Sequence, residues 1–203
     1  MKHLFLALIA SSSFFSVLCV GQQKVKEGST GKLFPAEISF KHDTSDYTLK
    51  VTGLTVRKKF VFKVYGMAHY IQDPVIGSKD DAFKAVLADG KAKQITMNFA
   101  RDVDAKKIGE AYKDGFKDHT TSEVLKKIQP LVDQFIGYFS KDVKENEEFV
   151  LRWLPGGTVI AILQGDEKPP ITDVTFAQSL WSIWFGNDSI VDRDDLVKNL
   201  VTD

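Results

Sequence analysis

The stretch Val56 to Ile71, V-R-K-K-F-V-F-K-V-Y-G-M-A-H-Y-I, constrains the chain most. It is the longest β-like run, rich in the Phe, Val and Tyr that fit a pleated, half-buried surface. From Lys59 to Tyr65 it alternates: Phe60, Phe62 and Val64 point one way, and Lys59, Val61, Lys63 and Tyr65 the other. The first set reads as a core face. The second mixes cations, an apolar residue and a phenol, which suits either water or the wall of an amphipathic pocket.

The remaining elements are arranged around that run. Gln22 to Lys32 is polar and reads as a loose leader. Ala36 to Phe40 and Tyr47 to Val51 are strands joined by a turn at His42 to Asp46, where Asp and Ser favour tight geometry. Gly53 is expected to separate the second strand from the long central one, and Asp73-Pro74 to end it. A short helix at Lys79 to Ala88 precedes a strand at Lys93 to Ala100, with Ile95, Met97 and Phe99 on one face. Two amphipathic helices follow, one capped by Asp104, the other opening at Thr120-x-x-Glu123 and carrying Pro130, which is expected to kink it. Glu148 to Leu154 and Thr158 to Leu163 form a hairpin about Pro155-Gly156-Gly157. An apolar helix from Val174 to Phe185 and a last helix capped by Asp192 complete the chain. Strands, helices, hairpin, helices is the order of an α+β domain: a mostly antiparallel sheet with helices on one face.

With 203 residues the chain suits one domain. Its formal net charge of +0 lacks the basic stripe of nucleic-acid binders. Met1-Lys2-His3 followed by apolar Leu4 to Val20 reads as a signal peptide cleaved after Gly21, so that the protein is periplasmic or secreted, with no spanning segment left. The alternatives are a single anchoring helix, or a lipoprotein acylated at Cys19, for which Leu18 is too bulky. Cys19 is the only cysteine, so the mature chain has no disulfide and no thiolate chemistry. The domain plan is then 1–21 signal peptide, 22–33 flexible leader and 34–203 folded domain, expected to be a monomer.

Few residues carry chemistry. His42, His69 and His119 show no metal-ligand spacing, and His69 reads as a half-buried structural residue. No P-loop, G-x-G-x-x-G or G-x-S-x-G is present, and no metal or cofactor is expected. Asp192, Asp194 and Asp195 are explained by helix capping rather than by calcium. Arg57 and Arg101 stand out, one opening the central run and one ending the next strand. Such an arginine can snorkel to water or grip a carboxylate with its forked donors. Tyr65 lies eight residues from Arg57, so both share a face if the strand is regular, and a guanidinium beside a phenol can clamp a carboxylate or polarise a carbonyl. Tyr112 and the Trp181/Trp184 pair read as core or pocket wall.

Three motifs in order, V-R-K-K-F-V-F-K-V-Y-G-M-A-H-Y-I, M-N-F-A-R-D-V and F-A-Q-S-L-W-S-I-W-F-G-N, resemble those of the chalcone isomerase-like proteins, and their exported bacterial branch in particular, over Phe34 to Leu200. The resemblance implies an open-faced β-sandwich: a large antiparallel sheet, a helical layer and a ligand cleft between them. Members include enzymes that close a chalcone into a flavanone and fatty-acid-binding relatives without that activity. An arginine that binds substrate in the enzymes matches Arg57, and a strand threonine that polarises the ketone through water matches Tyr65. Arginine plus tyrosine is the carboxylate-holding pair of the fatty-acid-binding relatives. The enzymes' helical tyrosine and asparagine fall on Thr121 and Ile128, which cannot replace them, and losing two donors for an enolate oxygen argues against cyclisation. The expectation is therefore a non-catalytic, exported binder of a fatty acid or similar apolar carboxylate, with Arg57, Tyr65, Arg101 and Tyr112 as the ligand-binding residues. The alternative is an intramolecular lyase acting on an enone.

Overall fold

The computed structural model describes residues 23–202; the expected signal peptide, its cleavage point and Cys19 lie outside them. Among the described residues ten strands and five α-helices follow one another: β1 Lys24–Lys26, β2 Leu33–Pro35, β3 Glu37–His42, β4 Ser45–Lys59, β5 Phe62–Gln72, α1 Lys79–Leu87, β6 Lys93–Phe99, α2 Ala105–His119, α3 Ser122–Ile136, β7 Glu148–Leu154, β8 Thr158–Leu163, β9 Asp166–Glu167, β10 Ile171–Thr172, α4 Val174–Phe185 and α5 Arg193–Val197. Strands β10-β8-β7-β6-β5-β4-β3 hydrogen-bond in that order, antiparallel throughout, into one curled sheet with β9 on β8. The α+β open-faced β-sandwich expected from the sequence is the fold observed.

Side-chain alternation splits the sheet into two faces. Tyr65, Met67, Ile95, Met97, Phe99, Phe149, Leu151 and Trp153 pack under α1–α5 in the main core. Ala68, Tyr70, Leu154 and Ile160 look the other way, into a smaller core closed by Phe34 and Leu49. Helix α4 lies at the centre of the helical layer, with Phe176, Leu180, Trp181, Ile183, Trp184 and Phe185 all buried. It is capped by Asp173, whose carboxylate accepts from Phe176 N at 2.7 Å.

Several readings need correction. The run Val56–Ile71 is not one strand: β4 ends at Lys59, and Phe60-Val61 turns the chain into β5. Phe60 and Phe62, expected on a core face, are exposed, while Tyr65 from the mixed row is buried. Strand periodicity continued through a tight turn carries no mark of the turn itself, since Lys59-Phe60-Val61 holds no Gly, Asn or Pro. Gly53 is no break either. It lies inside β4, where an added Cβ would stand 2.0 Å from the Asp195 carbonyl oxygen; glycine is needed for the close approach of α5. The expected loose leader contains β1, paired with β2 (Lys24↔Pro35, Lys26↔Leu33), because Glu27 gathers Ser29 N, Thr30 N and Thr30 Oγ1 into a closed turn between them. Helix α3 starts one residue later than expected, with Thr121 rather than Thr120 as its cap, and it runs through Pro130. His69 is fully buried: its Nδ1 lies 2.7 Å from Thr52 Oγ1, which donates to the Leu196 carbonyl at 2.6 Å, and burial holds its pKa well below the usual value.

Candidate functional site

The hairpin places Arg57 and Tyr65 directly opposite each other on β4 and β5. Opposed residues on an antiparallel pair point to the same face, about 5 Å apart at Cβ. The sequence expected them on one face as eighth neighbours along a single strand. They are on one face, but as cross-strand partners. That face is the one beneath α2 and α4, and the two side chains open onto a cleft of about 570 Å³ there.

The cleft lies between the sheet and the helical layer. Val64, Met97, Phe99, Ile108, Phe149, Ile183 and Trp184 form its apolar wall. Volume and lining match a small-molecule site, for which about 300–1,000 Å³ of mostly apolar space with a few placed polar groups is usual. All four residues singled out in the sequence line it. Arg57 is half-buried, Tyr65 and Tyr112 are buried deeper, and Arg101 stands exposed at the mouth with its guanidinium 5.0 Å from the Phe62 ring centre.

The polar groups are unevenly satisfied. Arg57 Nη1 donates to the Ile190 and Lys58 carbonyls, both at 2.8 Å. Those bonds hold the guanidinium in place but involve only one of its nitrogens, and no carboxylate among the described residues pairs with it. Tyr65 Oη accepts from Trp184 Nε1 at 3.1 Å, and among the described residues nothing accepts the Tyr65 proton. Burial pushes the Tyr65 phenol above its usual range, against the opposing effects of the Trp184 bond and the Arg57 charge. It therefore stays protonated and keeps a donor to offer. Tyr112 Oη points at Met97 Sδ, 4.0 Å away, and its ring stacks on Phe139 at 4.8 Å. Burial, with Tyr65 beside it, lifts its pKa well above the ordinary phenol value. A fixed cation next to a neutral phenolic donor, at the edge of an apolar chamber, can receive an anionic head group while the apolar remainder lies inside.

Thr121 and Ile128 are absent from the cleft. Thr121 is the exposed cap of α3 and accepts from Val124 N; Ile128 is buried in the core. Trp184 is the residue whose role sequence reasoning left open, as core or wall; the indole donor that fixes Tyr65 could be found only by knowing which face of α4 meets β5. Asp192, read as a cap, accepts from Asp194 N and Asp195 N. A second groove of about 790 Å³ follows the β4 edge between β1 and α5. Lys58, Asp192 and Lys198 face water there, and the Glu27 carboxylate is already consumed by its own turn. It offers no apolar chamber with a held donor pair, so the smaller cleft is the candidate site.

Comparison with known proteins agrees with the architecture. A family model described as chalcone isomerase-like matches residues 31–200. Among solved structures, the crystal structure of an Arabidopsis thaliana fatty-acid binding protein is similar with a TM-score of 0.67 and 17% identity, over 88% of this chain and 97% of that one. No curated protein matches the chain.

Proposed function

Because the chain belongs to the chalcone isomerase-like family, with a match over residues 31–200, we propose that it is a non-catalytic carrier of a fatty acid or similar apolar carboxylate. The observation that carries this reading is the pair of unused donors. Arg57 has guanidinium N–H groups beyond those held by Ile190 and Lys58, and Tyr65 has a phenolic proton without an acceptor among the described residues. Both border an apolar cleft of about 570 Å³. An apolar carboxylate satisfies both donors and fills the chamber, and an Arg–carboxylate contact is among the stronger single hydrogen-bonding arrangements, worth about 1.5–3 kcal/mol. The resemblance in fold to a fatty-acid binding protein supports the same class of ligand. The alternative, an enone-cyclising lyase, would need donors facing a developing enolate, and Thr121 and Ile128 stand outside the cleft. The protein acts outside the cytoplasm, in a periplasm or beyond, after loss of residues 1–21. This rests on the sequence pattern of the N-terminus.

The experiment is native mass spectrometry of the purified protein, followed by organic extraction and identification of whatever is bound. A co-purifying long-chain acid, lost in Arg57→Ala, is the expected result. An empty protein that also fails to take up added fatty acid, but shows a chalcone-to-flavanone rate above buffer, would replace the carrier reading with the lyase.

A further inference from the structure

Among the described residues, the β4–β5 turn carries the longest consecutive run of exposed large apolar side chains. Phe60 is 90% exposed, Val61 85% and Phe62 56%, three consecutive large apolar side chains at the tip of a projecting hairpin. Scattered exposed apolar residues are ordinary; a contiguous run is not. The backbone makes it more unusual. Phe60 has φ +55°, at a position that two-residue hairpin turns normally give to glycine or asparagine. An aromatic side chain sits there at a steric cost that glycine would avoid.

Cations surround the apolar tip. Lys58 and Lys63 are directly opposite each other in the hairpin register, and Lys59 is opposite Phe62. Like charges directly opposed destabilise a hairpin, so nothing in the fold calls for that pair. Lys63 reaches the Ser29 carbonyl, and Arg101 lies over the Phe62 ring. Among the described residues none of Lys58, Lys59, Lys63 or Arg101 is in an ion pair. The nearby acids are engaged elsewhere, Asp102 with Lys144 and Asp104 with Lys107.

We infer that this turn docks the protein on an anionic lipid bilayer, with Phe60, Val61 and Phe62 entering the headgroup–acyl boundary and Lys58, Lys59, Lys63 and Arg101 meeting phosphates. Apolar side chains ahead of a collar of lysines are what such a boundary accepts: the rings sit at headgroup depth and the lysine stems snorkel. A second copy of the chain fits poorly, because an isologous contact through the tip would press the two lysine collars together. A three-residue tip is also far below the roughly 800 Å² per partner of a stable protein interface. The site is continuous with the cleft, since Phe60 and Phe62 also line its mouth. An apolar chain could pass from bilayer to cleft without crossing water. That use as a loading port rests on the carboxylate-carrier reading; the docking itself does not.

The test uses the mature chain of the proposed function, residues 22–203, which lacks the apolar N-terminal run and contains no cysteine of its own. An environment-sensitive dye is placed on Val61→Cys in one protein and on Ser45→Cys, exposed at the other end of β4, in a second. Vesicles of phosphatidylcholine mixed with phosphatidylglycerol should blue-shift the dye at 61 and leave it unchanged at 45; two sites in one fold separate the turn from any other contact. No shift at 61, or equal shifts at both, overturns the docking. In sedimentation with the same vesicles, Lys58→Glu/Lys63→Glu should weaken partitioning roughly tenfold or more, and added salt should weaken the wild type. Val61 lies outside the cleft lining, so Val61→Asp should lose the vesicles and keep fatty-acid affinity; a Val61→Asp chain that sediments like the wild type overturns the proposal. A wild type that docks but takes up no fatty acid leaves the docking standing and refutes the carrier reading instead.

Discussion

The two ends of β5 are built from similar residues and treated in opposite ways. From Met67 to Ile71 every residue is buried, and the neighbours across the sheet, Lys93 and Trp153, are at 0% exposure. Trp153 meets Trp181 of α4 at 5.4 Å between ring centres. Even the ammonium group at this end is served internally: Lys93 donates to the Ala88 and Lys91 carbonyls and lies 4.1 Å over the Trp153 ring. At the other end Phe62 is exposed, Tyr65 keeps an unclaimed proton, and Arg57 has carbonyl partners for one nitrogen only. One turn of α4 separates Trp181, which completes a core, from Trp184, which orients Tyr65 toward a cleft. The difference is one of access: the closed end is sealed by packing, with His69 Nε2, Tyr70 Oη and Trp181 Nε1 buried without partners among the described residues, whereas the unused donors of the open end border a cleft where a ligand can reach them.

The comparison breaks most visibly at the closed end. Trp181→Ala should cost about 3–5 kcal/mol of stability in urea denaturation, because the indole is wholly buried against Trp153. Fatty-acid affinity of the protein that remains folded should stay near wild type. A loss under 1 kcal/mol would mean the closed end is loosely packed and the contrast false.

The Lys93 ammonium sharpens the same contrast through pH. Burial lowers its pKa to about 8, with Asp89 opposing and Lys91 assisting the shift. The unfolded chain, with lysine at its ordinary value, binds more protons between that pKa and about 10.5, so stability should rise with pH across this window. The gain should be about 1–3 kcal/mol, visible from pH 8 to 10, and Lys93→Met should flatten it. A wild-type midpoint that falls steadily from pH 8 to 10 would contradict the buried-cation account.

The smallest effect is at the open end. Tyr65→Phe removes one donor and leaves Trp184 Nε1 without its acceptor, so fatty-acid affinity should drop about three- to tenfold by fluorescence titration, with modest change in stability. Unchanged affinity would remove Tyr65 from the site.

The sequence made the architecture readable where pattern and punctuation agree. β7, β8 and α4 begin and end where Glu148–Leu154, Thr158–Leu163 and Val174–Phe185 were expected, because Gly156 and Gly157 take positive φ at the turn and Asp173 caps the helix. It failed at the β4–β5 turn for a physical reason: an aromatic residue in left-handed conformation leaves no compositional mark, and alternation continues unbroken through it. The candidate site survived that error because a pair eight residues apart on one strand and a pair directly opposed across this hairpin both share a face. What the sequence could not hold was which donors end up spent. That Ile190 takes one nitrogen of Arg57, and Trp184 one lone pair of Tyr65, depends on residues more than a hundred positions away.

The most direct measurement compares a long-chain fatty acid with the alcohol of the same length, titrated into wild type and Arg57→Ala by calorimetry. The account requires the wild type to prefer the acid by about tenfold or more, the equivalent of roughly 1.4 kcal/mol, and Arg57→Ala to lose that preference while still admitting the alcohol. Equal binding of acid and alcohol by the wild type, or an acid preference that survives in Arg57→Ala, would contradict it.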